Sequence, residues 1–146
     1  MTVILNGDEI GKKIEEAFPG SVLPGDKGYL LIESKYLAQV ADYLKNTSGL
    51  EFDYFTVMTA VDYVEYFEIL YRLVSLKNNH SLILKTRVYG RENCSVPSVV
   101  KTWRAADYQE REIFDLFGIK FEGHPNLKRL LLWEGFNGHP LRRDYL

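Results

Sequence analysis

Two segments of alternating apolar residues, joined by an asparagine pair, constrain the fold of this chain more than any other feature. Apolar side chains recur at every second position within residues 67–76 and again within residues 82–89, which is the period of a β-strand. Asn78 and Asn79 lie between them, and asparagine tolerates the positive φ of a tight turn. The sequence therefore predicts two paired strands, with Phe67, Ile69, Tyr71 and Leu73 on one face of the first, and with Lys85 and Arg87 opposite Leu84, Thr86 and Val88 in the second.

The residues before this pair add two helices and two strands. Asp8 is expected to cap a first short helix, which Pro19-Gly20 ends. Gly28–Glu33 reads as a strand, Ser34 as the cap of a second helix, and residues 52–63 as a strand rich in aromatic and β-branched residues. The apolar faces of the helices are Ile10, Ile14 and Phe18 in the first, and Leu37, Val40, Ala41 and Leu44 in the second.

The predicted order is α-β-α-β-β-β, which describes an α+β fold. We expect a two-layer α/β sandwich with its helices on one face of the sheet, followed by a helix and an extended C-terminal interface segment. The length of 146 residues suits one domain. The expected division is a compact domain over residues 1–117 and an extended C-terminal strap over residues 118–146.

The spacing of apolar residues predicts one more helix, running from Val96 to Phe117 and ended by Gly118. Glu110 lies on its apolar stripe and therefore needs a cationic or hydrogen-bonding partner. Arg111 is four residues from both Asp107 and Asp115, within reach of both carboxylates. The alternative is that residues 110–112 are a solvated helix face with ordinary ion pairs.

The strap is too apolar for a free tail and too irregular to build its own core. It carries a charge of +2 against −4 for residues 1–117, which suggests an anionic partner surface but is too sparse to indicate nucleic acid. Arg142, Arg143 and Asp144 combine with Tyr145 into residue types favoured at interface centres. The sequence leaves open whether the strap docks on a partner or folds back over its own sheet.

Few residues are suited to independent catalysis. The single cysteine, Cys94, excludes an internal disulfide and an iron–sulfur cluster of the chain's own. His124-Pro125 and His139-Pro140 do not match a compact metal spacing, so the prolines are expected to set an extended path. A metal- or cofactor-dependent enzyme using these histidines is the competing hypothesis. Without a signal peptide or a membrane-spanning stretch, we expect a soluble chain inside the cell.

The last third of the chain carries a long motif of mixed composition. Its residues are Trp103, Ala105-Ala106-Asp107, Glu110-Arg111-Glu112, Asp115, Phe117-Gly118-Ile119, Phe121, His124-Pro125, Leu127, Arg129-Leu130-Leu131 and Gly138-His139-Pro140-Leu141-Arg142-Arg143-Asp144-Tyr145. This motif resembles the signature of the 30-kDa (C) subunit of respiratory complex I, which is the J subunit in photosynthetic complexes. The resemblance extends upstream through residues 59–63, 67–75 and 96–98. The loop at residues 132–137 departs from many relatives, which carry a proline followed by acidic residues there.

The resemblance implies a non-redox, peripheral-arm subunit of a proton-translocating NADH:quinone oxidoreductase, on the cytoplasmic side of the membrane. It implies docking on the 49-kDa (D) subunit near the quinone site, a role in assembly, and no active site or cofactor in this chain. FMN, iron–sulfur clusters, NADH and quinone belong to the assembled complex. The implied interface residues are Glu110, Arg111, Glu112, Asp115, Phe117, Gly118, His124, Pro125, Arg129, Gly138, His139, Pro140, Leu141, Arg142, Arg143 and Asp144.

The same type of subunit recurs in complexes that use other electron donors. These include ferredoxin- or F420-linked dehydrogenases and membrane-bound energy-converting hydrogenases. The alternative function is the equivalent subunit of one of those complexes, because nothing in the sequence points to the electron donor.

Overall fold

The computed structural model describes residues 2–5, 7–25 and 29–145. A one-turn 3-10 helix at Ser34–Tyr36 precedes the second α-helix. The other elements in the described part are β1 (Val3–Ile4), α1 (Gly7–Ala17), β2 (Val22–Leu23), β3 (Leu30–Ile32), α2 (Leu37–Asn46), β4 (Tyr54–Asp62), β5 (Phe67–Ser75), β6 (His80–Val88), β7 (Ser95–Pro97), α3 (Ala106–Phe117) and β8 (Lys120–Glu122).

A mixed six-stranded sheet forms one layer of the molecule. Five of its strands follow the order β2-β3-β6-β5-β4, and β1 also pairs with β6. The β4–β5 and β5–β6 pairs are antiparallel, whereas β1 and β3 run parallel to β6. Ser75 pairs with His80 across the turn, and Asn79 adopts a φ of 54°. The hairpin predicted at the asparagine pair is therefore confirmed.

The apolar core lies on one face of this sheet, beneath the helices. Phe67, Ile69, Tyr71 and Leu73 are fully buried there, as the alternation in β5 predicts. Ile10 and Ile14 of α1 belong to the same core, and Phe18 packs against it. The four predicted apolar residues of α2, which are Leu37, Val40, Ala41 and Leu44, are also fully buried. The predicted α+β fold is confirmed.

Three local predictions about where elements begin need correction or concern residues outside the described ranges. Asp8 is the second residue of α1 rather than the residue before it. Ser34 does not cap α2, because it begins the 3-10 turn, and no side-chain hydrogen bond caps that turn or α2. Gly28, predicted as the first residue of a strand, lies outside the described residues. The strand β3 itself covers Leu30–Ile32, the apolar centre of the predicted segment.

The prediction of one helix from Val96 to Phe117 was wrong in its first half. Ser95–Pro97 form the strand β7, which pairs in parallel with β8, and α3 begins only at Ala106. Proline disfavours a helical conformation in the residue before it, so Val96 is driven to the extended form that β7 requires. Val99, Val100 and Trp103 still face the core, but from turns.

Helix α3 covers part of the outermost strand of the sheet. The Met58 N–H of β4 donates to the Gln109 Oε1 at 2.7 Å, where a further strand would otherwise supply a carbonyl. Phe117, the last residue of α3, places its ring 6.1 Å from that of Phe67 on the core face. Helix α3 is thereby fixed against both the edge and the inner face of the sheet.

Candidate subunit interface

The strap, residues 118–146 as predicted, leaves α3 through a left-handed glycine. Gly118 has a φ of 77°, and its N–H donates to the Phe114 carbonyl, so it ends the helix as predicted. Ile119 and Phe121 then return to the core, and Lys120–Glu122 form β8. The first residues of the strap are thus integral to the compact body. The proposed boundary between residues 117 and 118 stays a prediction.

Asp115 holds the middle of the strap from beneath. Its fully buried carboxylate accepts the N–H groups of Leu130, Leu131 and Leu132, and Arg129 donates to it at 3.1 Å. Burial by itself raises the pKa of Asp115, but the three backbone donors and the Arg129 charge outweigh it and lower the pKa. The carboxylate therefore stays ionised and organises a turn of backbone around itself.

Arg111 binds the same stretch through its carbonyl groups. Its guanidinium donates to the carbonyls of Lys128 at 3.2 Å and Arg129 at 3.1 Å. Arg111 pairs with neither Asp107 nor Asp115, although both lie four residues away and were expected to be within its reach. Asp107 contacts His124 and Asp115 contacts Arg129, while Arg111 binds the backbone of the strap.

Glu110 is fully buried on the other side of α3. Its carboxylate accepts the Ser98 hydroxyl at 2.5 Å and the Val99 N–H at 2.8 Å. Burial raises the pKa of Glu110 to about 7, against these two donors and the nearby His124. The predicted need for a partner is met by hydrogen bonds. The reading of residues 110–112 as a solvated face fails for Glu110 and Arg111, although Glu112 is exposed.

The two His-Pro pairs attach the strap to α3. The His124 side chain is fully buried, with its Nε2 2.9 Å from the Asp107 Oδ1, while its Nδ1 accepts the Asn126 N–H. His139 Nδ1 lies 2.9 Å from the Asp115 carbonyl oxygen. No group of three or more potential metal ligands occurs in residues 2–5, 7–25 and 29–145. Both rings thus take part in contacts that hold the strap.

The end of the strap is clamped to the far end of β4. Asp62, whose side chain is 1% exposed, receives two hydrogen bonds from Arg91 at 2.8 and 2.7 Å and one from the Arg143 N–H at 2.8 Å. Arg91 also binds Asp144 at 3.1 Å. The hydrogen bonds from Arg91 are the main reason that the pKa of Asp62 is well below its ordinary value.

Asp62 and Arg91 were not predicted as strap contacts. The signal for Asp62 was its position in β4, since it follows the buried Met58 and Ala60 at the same period of two. A carboxylate on an apolar strand face requires a partner. Arg91 has no comparable signal, because its loop brings it to Asp62 across 29 residues.

The outer side of the strap is apolar and exposed. Leu131 is 61% exposed and Trp133 is 69% exposed, and Leu141 and Tyr145 are exposed as well. Trp133 contacts Phe136 edge-on at 5.9 Å, and Phe136 stacks on Tyr145 at 6.4 Å. These rings border a surface depression of about 750 Å³ together with His139, Arg142 and Asp144. An apolar surface of this kind is typical of an interaction site.

Residues 30–146 match the protein family described as the respiratory-chain NADH dehydrogenase, 30 Kd subunit. The chain belongs to this family. No helix in the described ranges is long and apolar enough to cross a membrane.

Relatives of the 30-kDa subunit family match nearly the whole chain. The C subunit of NADH-quinone oxidoreductase from Ruegeria sp. (strain TM1040) is 41% identical over 144 residues, which is 94% of this chain and 71% of that protein. The protein of the same name from Roseiflexus castenholzii (strain DSM 13941 / HLO8) is 37% identical over 147 residues, and the match covers 96% of this chain and 84% of that protein.

A solved structure has a similar fold. A chain from the membrane-bound sulfane sulfur reductase (MBS), an archaeal respiratory membrane complex, matches with a TM-score of 0.69 and 25% sequence identity. The match covers 95% of this chain and 85% of that one. This chain therefore shares its fold with one chain of a respiratory membrane complex that has a different name.

The sixteen predicted interface residues differ in their exposure in the structure. Glu110, Arg111, Asp115 and Phe117 are buried, and seven are half-buried: Gly118, His124, Arg129, Gly138, His139, Pro140 and Arg142. The other five are exposed: Glu112, Pro125, Leu141, Arg143 and Asp144. Contact between these residues and a partner subunit stays a prediction.

Proposed function

We propose that this chain is a non-redox, peripheral-arm subunit of a proton-translocating NADH:quinone oxidoreductase. In this proposal the strap docks on the 49-kDa (D) subunit near the quinone site and is needed for assembly. The chain lies on the cytoplasmic side of the membrane and reaches the membrane only through its complex. Family membership supports the type of complex, and the strap supports the mode of attachment.

The observation that carries the proposal is the two-sided character of the strap. Its backbone is held from beneath by Arg111 and Asp115, while Leu131 and Trp133 project outward with more than half of their surface exposed. Such an arrangement fixes an apolar surface in place before any partner arrives, which lowers the entropic cost of association.

The electron-transfer chemistry is assigned to other subunits. One cysteine, which is buried, does not provide the four ligands that an iron–sulfur cluster ordinarily needs. The described histidines are occupied by contacts within the chain. FMN, iron–sulfur clusters, NADH and quinone are accordingly proposed for the assembled complex, with no active site in this chain.

The structural match to a chain of an archaeal respiratory complex with a different name favours a second candidate function, in a complex other than an NADH:quinone oxidoreductase. The chain would then be the equivalent subunit of a ferredoxin- or F420-linked dehydrogenase or of a membrane-bound energy-converting hydrogenase. The strap would have the same role in each case. Membranes from a strain that lacks this chain, complemented and assayed with NADH, reduced ferredoxin or reduced F420, would identify the electron donor.

Docking is tested by co-expressing the chain with an affinity-tagged 49-kDa subunit from the same genome. Deleting residues 118–146 would also remove buried Ile119 and Phe121, so point substitutions on the outer side are the sharper test. The double variant Leu131→Asp, Trp133→Asp is expected to reduce the co-purified chain roughly tenfold or more, because central interface residues carry most of the binding energy.

The matched control is Leu76→Asp, at a residue that is 65% exposed in the turn between β5 and β6. Its co-purification should equal that of the unsubstituted chain. Equal recovery of the double variant and the control would reject docking through the strap. Circular dichroism and a urea titration of each chain alone would verify that the folded body is intact.

A further inference from the structure

The second face of the sheet, opposite the helices, carries an organised set of side chains that the strap does not use. The pairing of β4, β5 and β6 places these side chains in four rows across the three strands. We call this set the open face. Its rows are Tyr54, Val74 and Ser81; Val57, Arg72 and Ile83; Thr59, Leu70 and Lys85; and Val61, Glu68 and Arg87.

The open face is more apolar than a sheet face that only meets water. Antiparallel strands with one solvated side ordinarily alternate apolar residues inward with polar residues outward. Here Val57 and Val61 are 41% and 43% exposed, and Leu70 lies between them on the neighbouring strand. Val74 and Ile83 extend the patch, and both are only partly buried. Aliphatic side chains thus occupy every row of this surface.

The charge of the open face has one predominant sign. Its twelve residues, all in the described part of the chain, include three cations and the carboxylate of Glu68, a net charge of +2. Glu68 already contacts Lys85 at 3.3 Å and Arg87 at 3.4 Å, and its side chain is 8% exposed. Arg72 is exposed beside Val57 and Ile83. The surface therefore offers apolar contacts with cationic groups at its centre and side.

The open face is separate from the strap. Phe117 of α3 packs on the ring of Phe67, which lies on the core face of β5. The strap attaches to α3 through Arg111 and Asp115, so it is on the helical side of the sheet. A partner bound at the strap leaves the opposite sheet face available to another molecule.

We propose that the open face is a second docking surface. Its partner is a protein whose own surface presents an apolar patch bordered by aspartate or glutamate side chains. Carboxylates would complement Arg72, Lys85 and Arg87, and aliphatic side chains would cover Val57, Val61 and Leu70. A second copy of this chain fits less well, because an isologous contact would bring two surfaces of charge +2 together. The chain then joins two partners, one on each side of its sheet.

This surface is tested by thiol labelling of the Val57→Cys variant in the purified parent complex and in the free chain. The native Cys94 is 1% exposed and contributes little background. Lys13→Cys, on the exposed side of α1, serves as the reference for reagent access. Relative to that reference, we expect maleimide to react with the cysteine at position 57 at least roughly tenfold more slowly in the complex, because thiol modification requires access. Equal rates in the complex and the free chain would overturn the proposal.

The chemistry of the partner is tested with Arg72→Lys and a zero-length carbodiimide, which joins an amine to a carboxylate in direct contact. The substitution retains the charge and supplies the amine. We expect an amide between position 72 and an aspartate or glutamate of another subunit, identified by mass spectrometry. The adjacent Lys85 and Glu68 of the free chain, 3.3 Å apart, report that the reagent is active. A link to a second copy of this chain, or no intersubunit link, would reject an acidic partner.

The labelling experiment at position 57 tests the open face independently of docking through the strap. A chain that is recovered in the complex, yet remains fully reactive at position 57, fails only the open-face proposal. A chain that loses recovery on substitution of Leu131 and Trp133, yet is protected at position 57 in the unsubstituted complex, supports both surfaces.

Discussion

Glu110 and Asp115 are two fully buried carboxylates on one helix, and their surroundings shift their pKa values in opposite directions. Asp115 accepts three backbone N–H groups and contacts Arg129, which stabilises its charged form. Glu110 has two donors and a larger loss of solvation. The balance between lost solvation and the donors and charges around each carboxylate therefore determines which one is held ionised.

Replacing Asp115 with asparagine should loosen the strap and destabilise the whole chain. The change removes the negative charge that Arg129 pairs with, and it replaces one carboxylate oxygen with an NH2 group, which cannot accept a hydrogen bond from either Arg129 or the backbone N–H groups. Breaking a buried ion pair on one side costs about 3 kcal/mol, which urea unfolding followed by circular dichroism would measure.

Glu112→Gln on the exposed side of α3 is the control for Asp115→Asn, and its unfolding free energy should change by less than about 0.5 kcal/mol. Similar losses in the two variants would mean that helix charge, rather than contact with the strap, explains the effect.

Glu110 should make the stability of the chain depend on pH between about 4.5, its ordinary value, and about 7, its value in the folded chain. The folded state retains this proton over that range, while the unfolded state loses it. The free energy of unfolding therefore falls by at most about 3 kcal/mol as the pH rises through this window, and it is constant above the window.

The contribution of Glu110 is isolated by comparing the unfolding free energy of the chain and the Glu110→Gln variant at several pH values that span this window. Glutamine does not ionise, so the difference between the two curves should change with pH across the window. A difference that is constant with pH would contradict a raised pKa for Glu110.

At the scale of elements, the longest strands and helices are the ones that local sequence predicts. The nine-residue strands β4, β5 and β6 bury one face through a period of two, and α2 does so through its helical period. Strands β1, β2, β7 and β8 have only two or three residues each. So short a segment contains no complete period, and its pairing is determined by distant strands.

The connection before α3 shows where such reasoning fails. Val96, Val99 and Trp103 have helical spacing, but the pairing of Val96 with Phe121 and the contact between Val99 and Glu110 hold them in other conformations. The bond from the Trp103 ring N–H to the Phe52 carbonyl, at 2.8 Å, adds a further long-range constraint. Tertiary contacts outweigh the local pattern here.

The junction between α3 and the strap can be tested with one glycine and a matched control. In Gly118→Ala the new Cβ would lie 2.6 Å from His139 and 2.8 Å from Arg142, at a φ of 77°. We expect a loss of stability of about 2 kcal/mol and faster hydrogen exchange over residues 138–145. Gly123→Ala has a similar φ of 85° and nothing within 4 Å of its Cβ.

The Gly123→Ala variant should show only the smaller cost of its positive φ, with exchange over residues 138–145 unchanged. If both alanines accelerate exchange equally, the left-handed backbone matters and the contacts with His139 and Arg142 do not.

At the scale of the whole molecule, a cluster of three charged side chains joins parts of the chain that are far apart in sequence. Arg91, in the loop after β6, binds Asp62 at the end of β4 and Asp144 near the end of the strap. The Arg143 N–H completes the cluster by binding Asp62, 81 residues away. No local pattern encodes contacts at these separations, so the path of the strap could not be predicted from sequence physics.

Arg91→Ala is expected to release the end of the strap and lower the unfolding free energy by roughly 2–3 kcal/mol, because the buried Asp62 loses charged hydrogen bonds. Limited proteolysis should then cut within residues 138–145 before the body is degraded. Arg104→Ala, at an exposed arginine, provides the comparison and should be nearly neutral. Resistance of Arg91→Ala to early cleavage would show that other contacts suffice to hold the strap.

The hydrogen bond between Met58 and Gln109 has a consequence for self-association. An outermost strand with free N–H and C=O groups is a template on which another chain can add its own strand. Gln109 occupies that position at the centre of β4, and α3 lies alongside. Growth of the sheet into a continuous, shared ladder is thereby obstructed at this point, and higher-order association is directed to side-chain surfaces, where recognition depends on shape and charge.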